Sequence, residues 1–279
     1  TATTNLKKSV IQSDIIFLSI PTDATRNLMT KIKSYLNKNI ILISTAKGIE
    51  ENNYKRNSEI IRQYCDNQIA VLSGPTHAEE VINELPTAAV IASKNESVAK
   101  KIQNLIMSRT FRAYTNTDVV GVELGGAVKN IIAIAAGIAD GLGYGDNTRA
   151  ALITRGLSEM RRLGIYMGGN ALTFSGLTGM GDLVVTCNSM HSRNRRFGIN
   201  IGQGMSFKKA KTAINQTVEG INTTNALYQW FKKLEPEFEL PITTEIYQVL
   251  FNDKKPITAV DDLMLREPKN EHKDVNELL

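Results

Sequence analysis

Short, continuous apolar runs alternate with amphipathic stretches over the first part of the chain. Such a run, bounded by polar residues, is typical of a strand buried on both faces of a sheet. Strands are predicted at DIIFLSI (14–20), NIILIST (39–45), IAVLSG (69–74), AAVIAS (88–93) and FRAYTN (111–116). Because helical patterns separate these runs, the sequence predicts a parallel, doubly wound sheet.

From about residue 119 onwards the pattern is helical, with no convincing strand. TTNALYQWFKKL (223–234) and PITTEIYQVLFN (241–252) are predicted helices, and Pro241 suits a first helical turn. We therefore expect an α/β domain over residues 1–118 and an all-helical domain over residues 119–279.

The most apolar stretch is AVKNIIAIAAGIADGLG (127–143). It is shorter than the roughly 20 residues that a bilayer requires, and Lys129 and Asp140 interrupt it. We expect a buried helix here and no membrane partner. No signal-peptide pattern occurs, so a cytoplasmic location is expected.

The charge balance is only mildly basic, with 33 Lys and Arg against 28 Asp and Glu and a net charge of +5. No basic block is interleaved with aromatic residues, so no nucleic-acid partner is expected, and the surplus equally suits a pocket for a phosphorylated metabolite. Cys65 and Cys187 form no CxxC pair, and His77, His191 and His272 are too scattered for a metal site.

The segment 121–145 places a lysine within a long apolar helix. At helical spacing, Lys129 has Gly125, Gly126, Ala133 and Ala136 as neighbours on its own face. Such a floor of small residues leaves room for a close ligand, and a desolvated lysine near a second cation has a lowered pKa that suits proton transfer. The alternative is tight packing of this helix against another one, with the lysine reaching solvent.

A glycine-rich loop and a basic helix start follow in segment 173–198. The loop ends at Asp182, and Ser192 is a good N-cap for a helix that carries Arg193, Asn194, Arg195 and Arg196. Free backbone N–H groups and arginines at a helix start form an anion site for phosphate. A solvated basic helix end is the alternative.

Two predicted strands end in polar residues. Lys47 lies beyond the second strand, where ligands bind in such sheets, although a surface lysine is equally compatible with the pattern. After the third strand, Thr76 either caps the following helix or holds a phosphate. His77 is interpreted as a structural residue rather than a catalyst.

Taken in order along the chain, these segments form a set of family motifs. They read KGIE (47–50), SGPTHAEEV (73–81), VELGGAVKNIIAIAAGIADGLGYGDNTRAALITRG (122–156), TFSGLTGMGDLVVTC (173–187), SRNRRFG (192–198) and TVEG (217–220). On these motifs the chain resembles the bacterial NAD(P)-dependent glycerol-3-phosphate dehydrogenases. The resemblance implies reversible hydride transfer between sn-glycerol 3-phosphate and dihydroxyacetone phosphate, with NAD or NADP as cofactor, for phospholipid synthesis; a homodimer is usual among such enzymes.

The resemblance also assigns roles to residues. Lys129 matches the catalytic acid and base, and Lys47 matches a lysine that contacts both the substrate and the nicotinamide. Substrate-binding positions are matched by Lys47, Gly74, Thr76, Lys129, Asn130, Asp182, Thr186, Ser192, Arg193 and Asn194. Cofactor-binding positions are matched by Lys47, Ala78, Arg193, Thr217 and Glu219, and no metal is implied.

One family feature is not found in the sequence. A strand, a GxGxxG turn and a helix should open a dinucleotide fold, and the sequence from Thr1 onwards contains no such unit. The expected fold is therefore an N-terminally truncated Rossmann-type sheet followed by a helical domain. The alternative functions are a truncated, inactive relative of this enzyme, or another two-domain NAD(P)-dependent dehydrogenase.

Overall fold

A computed structural model describes residues 2–235, 238–268 and 270–271, and within them all the predicted strands form one sheet. His272 lies outside the described residues. The strands are β1 (Ile15–Leu18), β2 (Ile41–Ser44), β3 (Gln68–Ser73), β4 (Thr87–Ala92) and β5 (Phe111–Asn116). Their order across the sheet is the order in the chain.

Helices connect the strands and make up the rest of the described fold. Those of the α/β part are α1 (Leu6–Ile11), α2 (Thr22–Ile32), α3 (Asn57–Arg62), α4 (Ala78–Ile82) and α5 (Glu96–Ile106), with a short 3-10 helix at Lys33–Tyr35. Those that follow β5 are α6 (Val119–Gly141), α7 (Asp146–Tyr166), α8 (Ala171–Phe174), α9 (Asp182–Asn188), α10 (Arg193–Gly202), α11 (Phe207–Ile214), α12 (Glu219–Leu234), α13 (Pro241–Phe251) and α14 (Pro256–Met264). A π-helix at Leu177–Gly181 leads directly into α9.

The sequence pattern predicts a wholly parallel sheet, but the observed sheet contains one antiparallel pair of strands. β1, β2 and β3 pair in parallel, and so do β4 and β5, but β3 and β4 are antiparallel. The reason is the connection between them, because α4 has only 5 residues. A helix that short rises about 8 Å and cannot return the chain along a strand of about 20 Å.

The prediction that β1 is buried on both faces is also wrong. Phe17 is 41% exposed, whereas Leu42 and Ile43 of the neighbouring strand are fully buried. β1 is the first strand of the sheet order and pairs only with β2 within the described residues.

The long helix α6 forms the centre of the part that follows β5. It begins where Asp118 accepts a hydrogen bond from the Gly121 N–H, and it ends before Gly143, whose φ of 82° lies in the left-handed region. With 23 residues it is long and apolar enough to cross a membrane, longer than the sequence pattern predicts, but 94% of its most apolar window is buried inside the protein. The expectation of a buried helix is confirmed.

Glycines bring a second helix against α6. A Cβ at Gly137 would fall on the Arg195 carbonyl, and one at Gly141 would meet the backbone of Ile199 and Gly202. The tight helix packing that the sequence left as an alternative therefore occurs on α6, about two to three turns beyond Lys129.

Candidate active site

Two lysines from separate segments converge on one carboxylate. Lys47, beyond the carboxyl end of β2, donates from Nζ to Oδ2 of Asp182 at 2.8 Å, and Lys129 of α6 donates to Oδ1. The exposed fractions of the three side chains are 20%, 5% and 2% in the order Lys47, Lys129 and Asp182. The fold thus brings together three predicted site residues as a buried, charged cluster.

The electrostatics of this cluster favour proton transfer at Lys129. The pKa of Lys129 is lowered to about 8, because burial and, to a lesser extent, the charge of Lys47 outweigh the opposing charge of Asp182. Burial alone would raise the pKa of Asp182, but the two lysines outweigh it and hold that pKa below its ordinary value. Asp182 is therefore an ionised counter-ion, and the pKa of Lys129 is shifted towards neutral pH, as suits an acid–base group.

Other predicted substrate residues complete the hydrogen bonds of the lysines. Lys47 Nζ donates to the Gly74 carbonyl at 2.7 Å and to Thr76 Oγ1 at 3.4 Å, and Lys129 Nζ donates to Thr186 Oγ1 at 2.7 Å. Gly74 has a φ of 133°, which lets the chain turn after β3 and present this carbonyl. Thr76 does not cap α4, because the N-cap position of that helix belongs to His77 and has no side-chain hydrogen bond.

A chain of side-chain amides joins the lysine cluster to α12. Asn130 Nδ2 donates to the Lys47 carbonyl at 2.9 Å, and Asn194 Nδ2 donates to Asn130 Oδ1 at 2.9 Å. Asn194 Oδ1 in turn accepts from the Gly220 N–H at 3.0 Å. Both asparagines, predicted as substrate contacts, here support the framework that holds Lys47.

The basic start of α10 is only partly available to an anion. Ser192 is the N-cap as predicted and accepts a hydrogen bond from the Arg195 N–H at 3.2 Å. The Arg195 side chain is paired with Asp140 through Nε at 2.9 Å and Nη2 at 2.8 Å, so its part in the predicted arginine cluster is corrected to a structural ion pair. Arg193, at the first position of the helix, is exposed.

A predicted cofactor residue lies against the start of α2. Glu219 Oε1 accepts from the Thr22 N–H at 3.1 Å. Gly48 is necessary here, because a Cβ at that position would fall on the Glu219 carboxylate and lie 2.6 Å from Thr22 Oγ1. Burial raises the pKa of Glu219, and the positive charge of Arg193 lowers it, so these two predicted cofactor residues interact electrostatically.

The arrangement fits a dinucleotide at this edge of the sheet. β1, β2 and β3 are parallel, so Thr22, Lys47 and Ala78 all follow carboxyl ends at the same edge, where such ligands bind. Ala78 and Thr217 are both exposed. The space next to Gly48, which a Cβ would fill, is occupied by the Glu219 carboxylate and the Thr22 side chain of α2 and is not open.

The glycine floor beside Lys129 is filled by protein. A Cβ at Gly126 would lie 2.8 Å from Ser73 Oγ and 3.3 Å from Lys47 Cγ, and a Cβ at Gly125 would lie 2.6 Å from the Thr178 carbonyl oxygen. The small residues therefore admit Lys47 and the π-helix rather than a ligand, which corrects the expectation from spacing.

Sequence reasoning did not identify two polar atoms near this cluster. Ser73 Oγ and His77 Nε2 are buried and have no hydrogen-bond partner among the described residues. The His77 ring lies 6.0 Å from that of His191. Their positions in SGPTH give no signal of this, because it arises only from contacts with distant residues, such as Gly126 of α6 and His191.

Comparisons with known proteins find relatives of one family along most of this chain. Residues 1–99 match the family model of the NAD-dependent glycerol-3-phosphate dehydrogenase N-terminus, and residues 118–261 match that of the C-terminus. The NAD(P)+-dependent glycerol-3-phosphate dehydrogenase of Halothermothrix orenii is 65% identical over 98% of this chain and 80% of its own length. That of a Thermoanaerobacter species is 52% identical over 96% of this chain and 81% of its own length. The crystal structure of glycerol-3-phosphate dehydrogenase from Coxiella burnetii superposes with a TM-score of 0.91 at 39% identity, over 95% of this chain and 81% of that one.

Proposed function

This chain belongs to the NAD-dependent glycerol-3-phosphate dehydrogenase family, and we propose that Lys129 is the acid and base of its reaction. The reaction is reversible hydride transfer between sn-glycerol 3-phosphate and dihydroxyacetone phosphate, with NAD or NADP. The observation that carries the proposal is the buried pair of lysines on Asp182.

In the reducing direction, the C2 carbonyl of dihydroxyacetone phosphate gains a hydride at carbon and a proton at oxygen. The nicotinamide cofactor supplies the hydride when it is bound. The Lys129 ammonium delivers the proton to the carbonyl oxygen and is left neutral, which its pKa of about 8 permits near neutral pH. In the oxidising direction the neutral amine accepts the proton of the C2 hydroxyl.

Lys47 and Asp182 prepare this proton transfer. The side chain of Lys47 reaches the same carboxylate as Lys129 and stabilises the negative charge that develops on the substrate oxygen. Asp182 fixes both ammonium groups through its two oxygens, so that they are oriented before the substrate arrives. Thr186 Oγ1 gives Lys129 a second acceptor and restricts it further.

The remaining predicted residues orient the two ligands. We assign the phosphate of the substrate to the exposed Arg193 at the start of α10, with Ser192 and Asn194 beside it, where backbone N–H groups and a guanidinium favour a dianion. The cluster of Lys47, Lys129 and Asp182 is lined by Gly74, Thr76, Asn130 and Thr186. Lys47, Ala78, Arg193, Thr217 and Glu219 would hold the NAD or NADP.

The proposal extends to organisation in three respects. The division into domains at residues 118/119 is supported by α6, which begins directly after β5. A cytoplasmic location and a homodimer follow from the family resemblance. Supply of the glycerol backbone for phospholipid synthesis is the role that we expect in the cell.

The test is cofactor oxidation by the purified chain. NADH or NADPH should be consumed when dihydroxyacetone phosphate is added. Consumption should be far slower with dihydroxyacetone, because that compound lacks the phosphate that Arg193 would bind. Lys129→Met should lower kcat by about a hundredfold to ten-thousandfold, since it removes the proton donor. Lys101→Met, on the exposed side of α5, is the matched control and should keep the parent rate. A near-parent rate for Lys129→Met would exclude the role given to this lysine.

A further inference from the structure

His77 lies at the N-cap position of α4, at the end of the turn that presents Gly74 and Thr76 to Lys47. Its Nε2 is buried and has no hydrogen-bond partner within the described part of the chain. The neighbouring ammonium groups of Lys47 and Lys129, by contrast, are engaged by protein oxygens. A buried polar atom without a partner is costly, which indicates that its partner is supplied by something other than the folded chain.

The surroundings of His77 connect the two ends of the expected substrate site. On one side it is within electrostatic reach of Lys129, Lys47 and Asp182, where the carbonyl of the substrate is expected. On the other side its ring lies 6.0 Å from that of His191, the residue before the N-cap of α10, where the phosphate is expected. His77 is therefore close both to the acid–base group and to the residue that precedes the anion-binding helix start.

We propose that His77 is a further substrate-binding residue, whose Nε2–H donates a hydrogen bond to a phosphate oxygen of the bound triose phosphate. This inference rests on the proposed function, because it takes the position of the phosphate from that assignment. A phosphate oxygen accepts strongly and selects the imidazole tautomer that carries the proton on Nε2.

The charge state of His77 suits this role. Burial lowers its pKa, the charges of Lys129 and Lys47 lower it further, and those of Asp182 and Glu79 oppose them. The imidazole is therefore neutral at neutral pH and donates without adding a third buried positive charge to the cluster. The negative charge of a bound phosphate would act against this lowering of the His77 pKa.

The experiment compares two substitutions in this chain. His77→Phe keeps a flat ring but removes both nitrogens, whereas His77→Gln keeps an N–H donor close to the place of Nε2. We expect His77→Phe to raise the KM for dihydroxyacetone phosphate about tenfold, with kcat within about twofold, which is the loss of one hydrogen bond to a charged group. His77→Gln should restore KM to within about threefold, and the KM for the cofactor should not change in either variant.

His191→Phe is the matched control, because His191 is exposed and shares the ring contact. Its KM should remain within about twofold of the parent. An unchanged KM in His77→Phe would overturn the proposal, and so would equal losses in the Phe and Gln variants or in His191→Phe, since these indicate ring packing. If the parent chain neither turns over dihydroxyacetone phosphate nor binds glycerol 3-phosphate by calorimetry, the proposed function itself fails, and the assignment of His77 fails with it.

Discussion

Lys129 donates a hydrogen bond to Asp182 inside the protein, although 53 residues separate them in the sequence. The two side chains come from α6 and from the first residue of α9, and the π-helix before α9 brings the carboxylate to this position. Because the carboxylate also holds Lys47, it sets both the position and the proton affinity of the proposed acid.

Replacing Asp182 by Asn should shift the pH dependence of the reaction downwards. Reduction needs protonated Lys129, so its rate falls as pH rises through the Lys129 pKa of about 8. The Asp182 charge raises that pKa, and its loss leaves Lys47 and Lys129 as uncompensated neighbours. In Asp182→Asn the decline should therefore begin at a lower pH, which a kcat/KM profile for dihydroxyacetone phosphate will measure.

The same substitution should destabilise the fold. Removing one partner of a buried ion pair costs about 3–5 kcal/mol, and urea unfolding measures this loss. Asp261→Asn, at an exposed position of α14, is the control and should change neither the pH profile nor the unfolding midpoint. An unmoved or raised profile in Asp182→Asn would contradict the tuning of Lys129 by this carboxylate.

Alanine substitutions at two glycines of α6 should have different effects, with Gly126→Ala lowering mainly activity and Gly137→Ala lowering mainly stability. In Gly126→Ala the new Cβ lies 2.8 Å from Ser73 Oγ and 3.3 Å from Lys47 Cγ, both of which are side-chain atoms that can move. We expect kcat/KM to fall about tenfold because Lys47 is displaced, with the unfolding free energy lowered by less than about 1 kcal/mol. In Gly137→Ala the Cβ meets the rigid Arg195 carbonyl, so stability should fall by about 1–3 kcal/mol or more.

Gly145→Ala provides the control for both variants, because a Cβ at Gly145 meets no atom of the described residues within 4 Å. It should leave turnover and the thermal midpoint close to the parent values. Equal losses of stability in the Gly126 and Gly137 variants would mean that Lys47 cannot move and that the α6 face is uniformly rigid.

The hydrogen bonds that link the side-chain amides of Asn130 and Asn194 predict different outcomes for two substitutions at Asn194. Asn194→Ala leaves the Gly220 N–H and Asn130 Oδ1 without partners, which should cost about 1–3 kcal/mol and lower kcat/KM. Asn194→Asp keeps an acceptor for the Gly220 N–H but sets an oxygen against Asn130 Oδ1, so Asn130 should release the Lys47 carbonyl. We expect the Asp variant to be the more stable of the two and still to lose activity. Kinetics and parallel urea titrations will measure both effects. Full activity in either variant would mean that the hydrogen bonds of Asn130 and Asn194 do not position Lys47.

The strands were predictable because each is a continuous apolar run, and the start of α10 was predictable because Ser192 is a strong N-cap. The antiparallel pairing of β3 and β4 was not, since it depends on the short length of α4, which apolar periodicity does not reveal. The long helix was predicted as buried, but its first turns, 119–126, were not counted in the apolar stretch because Glu123 and several glycines dilute them.

The proposed site was predictable as a set of residues but not as a geometry. Lys47, Lys129 and Asp182 each stand out in the sequence, yet their convergence on one carboxylate depends on the packing of β2, α6 and α9. Spacing around Lys129 suggested room for a ligand, whereas Gly126 admits Lys47 itself. The pairing of Arg195 with Asp140 was hidden for the same reason, because it crosses between α10 and α6.

Glu159 should affect stability and leave the reaction unchanged. Its carboxylate accepts from the Ile242 N–H at 2.8 Å, from the Thr243 N–H at 3.0 Å and from Thr243 Oγ1 at 2.6 Å, so a residue of α7 caps the start of α13. Glu159→Gln replaces one acceptor oxygen by a donor that faces a backbone N–H. The cost should be about 1–3 kcal/mol in urea unfolding, with kcat and KM at parent values. Glu96→Gln removes an exposed pair with Lys100 and should leave the unfolding midpoint unmoved, so similar shifts in both variants would show that the buried cap contributes no more than a surface ion pair.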